Sequence, residues 1–252
     1  MRVLPASAYV ISDAHIGFAS REAERSLLQF LRHLPGNAGA LVINGDLFEF
    51  WFEWRRVVPR PAVRVLAALA DVRDAGVPVL MLAGNHDCWG GDVLRSDVGV
   101  TYQIAPWEGE LAGWRARVDH GDGLRPEEDR RYRLLRTVLR NPVAISLFRL
   151  LHPDFGSWLA SGSSHTSRTY QARDGGAGLR SVAAEMLSRP ASPELVIFGH
   201  THVAALERVG NGVFANAGAW MDGPTFLRIT PQRIELCRWT GGGETVERAL
   251  DR

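Results

Sequence analysis

The sequence predicts an α/β protein, and three observations carry that expectation. Short runs at 8–11, 40–43, 79–82 and 194–198 are apolar almost throughout, without the alternation of a half-exposed strand, and so suit strands covered on both faces. Helical patterns separate the first three runs, and this β-α-β-α-β order implies parallel strands joined by right-handed crossovers. Each run stops abruptly in polar residues, and the carboxyl ends of such strands are where open α/β sheets place their ligands.

Taken in order, Ala8-Tyr9-Val10-Ile11 ends in Ser12-Asp13-Ala14-His15. Asp13 and His15 lie two apart and point the same way in an extended segment. Ser20 reads as the N-cap of a helix whose apolar stripe is Leu27, Phe30, Leu31 and Leu34, closed by Pro35-Gly36. The second strand ends in Asn44-Gly45-Asp46, and an aromatic run follows, Leu47-Phe48-Glu49-Phe50-Trp51-Phe52, suited to core or to the wall of an apolar site. A second helix is expected over 61–75. The third strand ends in Gly84-Asn85-His86-Asp87. A strand over 115–118 ends in Asp119-His120-Gly121-Asp122. The Arg-rich stretch 125–189 contains no clear strand and reads as helices over 126–140, 142–151, 157–160 and 178–188. The strand over 194–198 ends in Gly199-His200-Thr201-His202, and the rest, to Trp239, reads as an antiparallel sheet before a polar tail. No repeat or linker divides the 252 residues, so a single domain is expected.

Composition narrows the functional classes. A net charge of +1 gives no global reason to expect nucleic acid as a partner. The basic residues are all arginine, which favours bidentate phosphate contacts where it faces a site. Two distant cysteines imply no disulfide framework. The first residues turn polar too early for a signal peptide, and no apolar run approaches the roughly 20 residues that span a bilayer. A cytoplasmic protein is expected.

One polar strand end reads equally well as a surface turn. Five in one chain do not, and this reading places them all along one edge of one sheet. Together they offer Asp13, His15, Asp46, Asn85, His120, His200 and His202: imidazoles, carboxylates and one amide, with no thiolate. That mix suits Mn, Fe, Zn or Co in a reactive site rather than a structural zinc. Seven ligands exceed one ion but suit two that share a carboxylate and clamp the attacking and leaving oxygens of a phosphoryl group.

The blocks Asp13-x-His15, Gly45-Asp46, Gly84-Asn85-His86-Asp87, His120 and Gly199-His200-Thr201-His202 resemble, in order, those of the calcineurin-like metallophosphoesterases. The resemblance implies a β-sandwich flanked by helices with the site at the strand ends. It implies one ion on Asp13, His15, Asp46 and His202, a second on Asp46, Asn85, His120 and His200, and attack on phosphorus by a metal-bound hydroxide. His86 would neutralise the transition state or protonate the leaving oxygen, oriented by Asp87. A non-catalytic scaffold of this fold should have lost ligands, and none of the seven is missing.

Gly45-Asp46-Leu47-Phe48-Glu49-x-Trp51, His120-Gly121-Asp122, Gly199-His200-Thr201-His202 and Gly218-Ala219-Trp220 are similar, more narrowly, to the UDP-2,3-diacylglucosamine pyrophosphatases of lipid A synthesis. That likeness implies two divalent ions, Mn2+ first among them, and a nucleotide-lipid substrate cleaved at its pyrophosphate. It implies a helical cap over 125–189 that covers acyl chains and touches the inner membrane peripherally. It also implies substrate contacts from Asn85, His86, Asp129 and Tyr132, the last two displaced by one residue from the family's register. Ser163-Ser164-His165-Thr166-Ser167-Arg168 reads as a phosphate-contacting loop through Arg168, or as a polar turn. One departure stands out: His86 occupies a position where the pyrophosphatases usually carry Arg. It keeps open the alternative of a phosphodiesterase or phosphatase acting on nucleotides, dinucleoside polyphosphates or phosphoproteins.

Overall fold

The computed structural model describes residues 2–125, 127–160 and 174–252. One sheet runs β13-β12-β11-β2-β3-β4-β5 and the other β1-β6-β7-β8-β10-β9. In the first, β2 (Ala8–Ile11), β3 (Ala40–Asn44), β4 (Val79–Leu82) and β5 (Thr101–Gln103) are mutually parallel, as the crossovers demand. β11 (Thr225–Ile229), β12 (Arg233–Trp239) and β13 (Glu244–Asp251) extend it antiparallel. In the second, β1 (Val3–Leu4), β6 (Trp107–Leu111) and β7 (Trp114–Val118) precede β8 (Leu195–Phe198), with β9 (Ala205–Val209) and β10 (Gly212–Asn216) beyond it. β7, β8 and β10 are parallel, so their carboxyl ends share one edge.

Between the sheets, Val10, Val42, Leu80 and Leu227 meet Trp107, Val118, Ile197 and Val213. The outer face of the first sheet, with Ile11, Ile43 and Met81, is covered by α1 (Arg21–His33) and α2 (Val63–Asp74). Ser20 caps α1 by accepting a hydrogen bond from the Ala23 amide. The central strands are therefore apolar on both faces because helices cover one and the other sheet covers the second.

Three sequence expectations are corrected. The five site-bearing strands divide between two sheets: β2, β3 and β4 in one, β7 and β8 in the other. A buried strand looks the same whether a helix or a sheet covers it, so periodicity could not separate the two cases. The carboxyl-terminal strands do not form a sheet of their own but complete both sheets, and the polar tail is β13, an edge strand laced by Arg228–Glu244 and Arg238–Glu247 pairs. Lastly, the helix expected at 178–188, α6 (Ala177–Ser188), packs Leu179, Ala183 and Leu187 on the second sheet rather than in a cap.

Among the described residues, the rest of the insertion holds α3 (Arg130–Leu139), α4 (Pro142–Phe148) and α5, helical over 153–160. α3 begins later than expected, at Arg130. The preceding turn is held by Arg125, whose guanidinium forks onto Asp129 at 2.8 and 3.1 Å. Two indoles bolt these helices to the core: Trp89 donates to the Leu139 carbonyl (2.8 Å) and Trp54 to that of Leu151 (3.2 Å). Among the described residues, no helix is long and apolar enough to cross a membrane.

Candidate metal centre

The two sheets meet at the edge where these strands end. Asn44, closing β3, donates to the Asp119 carbonyl beyond β7 (3.0 Å), and its own carbonyl accepts from His120 Nδ1 (2.8 Å). The Gly199 amide donates to the His120 carbonyl (3.0 Å). The loops are tightly wound. Asp13, His15, Asp46, His200 and His202 all have positive φ, between 44° and 63°. Such backbone costs about 1–3 kcal/mol per non-glycine residue and persists where the surroundings over-determine it, most often at functional sites. Two glycines permit the close approach. A Cβ on Gly84 would lie 2.1 Å from Asp46 Oδ1, and one on Gly45 would lie 2.3 Å from His120 Nδ1.

Among the described residues, three groups of potential ligands result: Asp13–His15–His202, Asp46–His120–His200 and His15–Glu49–His86. Within them, Asp13 Oδ1 lies 3.5 Å from His202 Nε2, and Asp46 Oδ2 lies 3.2 Å from His120 Nε2 and 3.9 Å from His15 Nε2. Each carboxylate is anchored through one oxygen. Asp13 Oδ2 accepts from the His200 amide and Asp46 Oδ1 from the His86 amide, which leaves the other oxygen facing the centre. Three imidazoles are anchored through Nδ1: His15 to Glu49 Oε2 (3.0 Å), His120 to the Asn44 carbonyl, His202 to Asp222 Oδ2 (3.1 Å). A carbonyl only accepts, so His120 carries a proton on Nδ1, which leaves Nε2 as the atom that faces the cluster.

The fit to metal ions follows from these atoms. Asp13 Oδ1, His15 Nε2, Asp46 Oδ2, Asn85 Oδ1, His120 Nε2 and His202 Nε2 are buried and make no hydrogen bond. Buried acceptors without partners are costly, and those of the two Asp–His clusters, all of metal-binding type, suit cations. The electrostatics agree. Burial alone would raise Asp46, but the charges of His120 and His86 outweigh it and hold it well below the carboxylate range. Burial lowers and Asp46 raises His120, with a net rise well above the ordinary histidine value. In His15, burial is outweighed by the Glu49 hydrogen bond and by Asp46. Burial and the positive charges of His120 and Arg125 push His200 well down, which keeps it neutral.

The remaining sequence candidates separate. His86 sits beside the centre, its ring 4.8 Å from that of His15. The expected orienting contact from Asp87 is replaced, because His86 Nδ1 bonds the Glu49 carbonyl (2.8 Å). Asp87 is fully buried and its carboxylate goes to backbone amides, Gly84 (2.7 Å), Leu47 (2.8 Å) and Asp46 (3.3 Å), closing the loop around Gly84. Burial and the Asp46 charge push Asp87 up to about 7, against the pull of those N–H groups. Asp129 is buried and its carboxylate is taken up by Arg125. Tyr132 faces the centre's flank and donates to Asp122 Oδ2 (2.6 Å), which Arg136 and Arg140 also approach. This ties α3 to the His120 loop. Arg168 and His165 lie outside the described residues. Glu49 and Asp222 were not anticipated. Glu49 carried a signal, as the single charge inside an aromatic run.

An apolar cavity of about 400 Å³ opens from Asn85 and His86 between the aromatic run and the insertion helices. Phe50, Phe52 and Trp89 form one wall, Leu135, Val138, Ile145 and Phe148 the other. Phe48 and Trp51 of the same run lie in the helix-covered core.

The profile of the calcineurin-like phosphoesterases matches residues 7–204. The chain belongs to that family. The phosphoesterase is therefore a metal-dependent hydrolase, and the clusters above are its candidates for divalent ions. It is 37% identical over 164 residues to a UDP-2,3-diacylglucosamine hydrolase of Porphyromonas gingivalis, a match covering 64% of this chain and 63%, less than two thirds, of that relative. It is 31% identical over 240 residues to the hydrolase of the same name from Salmonella arizonae, covering 90% of this chain and 96% of the relative. The fold is also that of YfcE, a phosphoesterase from E. coli, at a TM-score of 0.50 and 16% identity over 97% of this chain and 98% of that one.

Proposed function

We propose that this phosphoesterase hydrolyses the diphosphate bond of UDP-2,3-diacylglucosamine or a closely similar lipid-linked nucleotide. The observation that carries the reading is the apolar cavity opening directly from Asn85 and His86 beside the ligand clusters. A wall of Leu, Val, Ile and Phe side chains on that scale suits acyl chains, whose burial it rewards. The relatives named UDP-2,3-diacylglucosamine hydrolase support it.

In this reading Asp13, His15 and His202 hold one divalent ion, Asn85, His120 and His200 a second, and Asp46 both. Manganese suits this mixed oxygen and nitrogen set. When bound, the ions supply charge neutralisation at phosphorus and an activated water. The chain's residues do the rest. His86, fixed through Nδ1, presents Nε2 as the atom that delivers a proton to the leaving oxygen. Asp87 keeps the Gly84–His86 turn closed. Tyr132 and the cavity walls position the glucosamine lipid and exclude water. The whole chain acts as one domain, with α3 to α5 as a cap over the acyl chains. Leu134, Val143, Leu147, Leu150 and Trp158 are exposed on that cap, which fits peripheral contact with the cytoplasmic face of the inner membrane.

One residue favours the alternative of a soluble-substrate phosphodiesterase: His86, where the lipid pyrophosphatases usually carry Arg. The test is the Mn-loaded protein assayed against UDP-diacylglucosamine, dinucleoside polyphosphates and p-nitrophenyl esters. The reading expects UMP and a lipid monophosphate as the preferred products. Turnover confined to the soluble substrates sinks it.

A further inference from the structure

Three hydrogen bonds behind the ligand clusters differ in kind. His15 Nδ1 is backed by the Glu49 carboxylate at 3.0 Å and His202 Nδ1 by that of Asp222 at 3.1 Å. His120 Nδ1, in the other cluster, is backed by the neutral Asn44 carbonyl at 2.8 Å. Both carboxylates are built into place. Glu49 is buried and its carbonyl holds His86. Asp222 is carried by a loop tied to the end of β2, where the Trp220 amide donates to the Ser12 carbonyl and the Met221 amide to that of Asp13. The charge around the two clusters is unequal as well. Asp13 serves the first, whereas the second has the uncharged Asn85 in the matching role. Asp122, two residues from His120, is already engaged by Tyr132, Arg136 and Arg140.

We infer that Glu49 and Asp222 are positioning residues that make the Asp13–His15–His202 cluster the higher-affinity of two ion positions. An imidazole hydrogen-bonded to a carboxylate is a more basic ligand and is held in one tautomer and orientation, and loss of such a partner typically weakens metal binding about 10–100-fold. Two carboxylate-backed rings beside the charged Asp13 in one cluster, against the carbonyl-backed His120 in the other, separate the affinities in that direction. The inference rests on the two-ion reading, and its test is one of binding rather than turnover.

The experiment is calorimetric titration of the metal-free protein with Mn2+, with bound metal counted by elemental analysis. The expected isotherm of the unaltered chain has two steps. Glu49→Gln, which keeps an acceptor but removes the charge, and Asp222→Asn each weaken the tight step by about 10–100-fold and leave the weak step in place. Asp222 is well exposed, so Asp222→Asn tests the idea even if Glu49→Gln folds poorly. Two equal steps in the unaltered chain, or a tight step untouched by both substitutions, overturns the inference while the two-ion reading stands. Uptake of fewer than two ions removes that reading and the inference with it.

Discussion

Replacing His86 separates chemistry from metal binding, because the residue touches the centre in two distinguishable ways. Its backbone amide donates to Asp46 Oδ1 at 2.9 Å, and any substitution except proline keeps that bond. Its ring reaches the Glu49 carbonyl at 2.8 Å through Nδ1, so in the proposed role Nε2 is the atom that transfers the proton. His86→Ala should therefore keep the bound metal while turnover falls by roughly 10²–10⁴, the usual share of a general acid, or about 2.7–5.4 kcal/mol of transition-state stabilisation. Stability should fall separately, by about 1–3 kcal/mol, because a buried carbonyl loses its donor. The assay compares a substrate with a poor leaving group against a p-nitrophenyl ester, whose departure needs no proton. The deficit should be large with the first and small with the second. An equal deficit on both, or metal lost in step with activity, refutes the proton-transfer role and makes His86 a ligand or a structural residue.

Further outcomes follow from the same geometry. Asp46→Ala removes the oxygen facing both clusters and should abolish activity and cut bound metal sharply by elemental analysis; near-normal turnover with two ions retained contradicts the sharing. His15 and His120 are raised above the ordinary histidine value of 6.5 in the metal-free fold. A raised folded value stabilises fully below the unfolded one and fades as pH rises through the folded one, so metal-free thermal stability should decline above pH ~6.5. Metal affinity should climb over the same range, because each ring must shed its proton; melting curves with and without Mn2+ check both signs. Tyr132→Phe removes the 2.6 Å bond that ties α3 to Asp122. It should loosen the cap, speeding hydrogen exchange in α3 without changing metal content.

The candidate metal ligands were legible because each lies within four residues of a strand end, and a strand end is a local feature of sequence. The outer carboxylates were not, because Glu49 meets His15 across 34 residues and Asp222 meets His202 across 20. Contacts of that kind are decided by how loops stack, not by spacing. Sheet membership was illegible for a related reason: Val42 and Val196 look alike in sequence, although one faces the other sheet and the other faces α6. β13 was missed because an exposed edge strand, Glu-Thr-Val-Glu-Arg-Ala-Leu-Asp, carries charge rather than alternation. The insertion was legible as helix, but not where it stops being cap, since only the packing of Leu179 and Ala183 on Val196 and Phe198 assigns α6 to the core.

The most direct test of the account is the specificity constant for UDP-glucosamine derivatives of decreasing acyl length. Each methylene buried in the cavity contributes about 0.8 kcal/mol, close to fourfold per carbon, so removing four should lower kcat/KM by roughly 200-fold. A steep fall of that order is the predicted result. Equal specificity constants for acylated and deacylated substrates would contradict it.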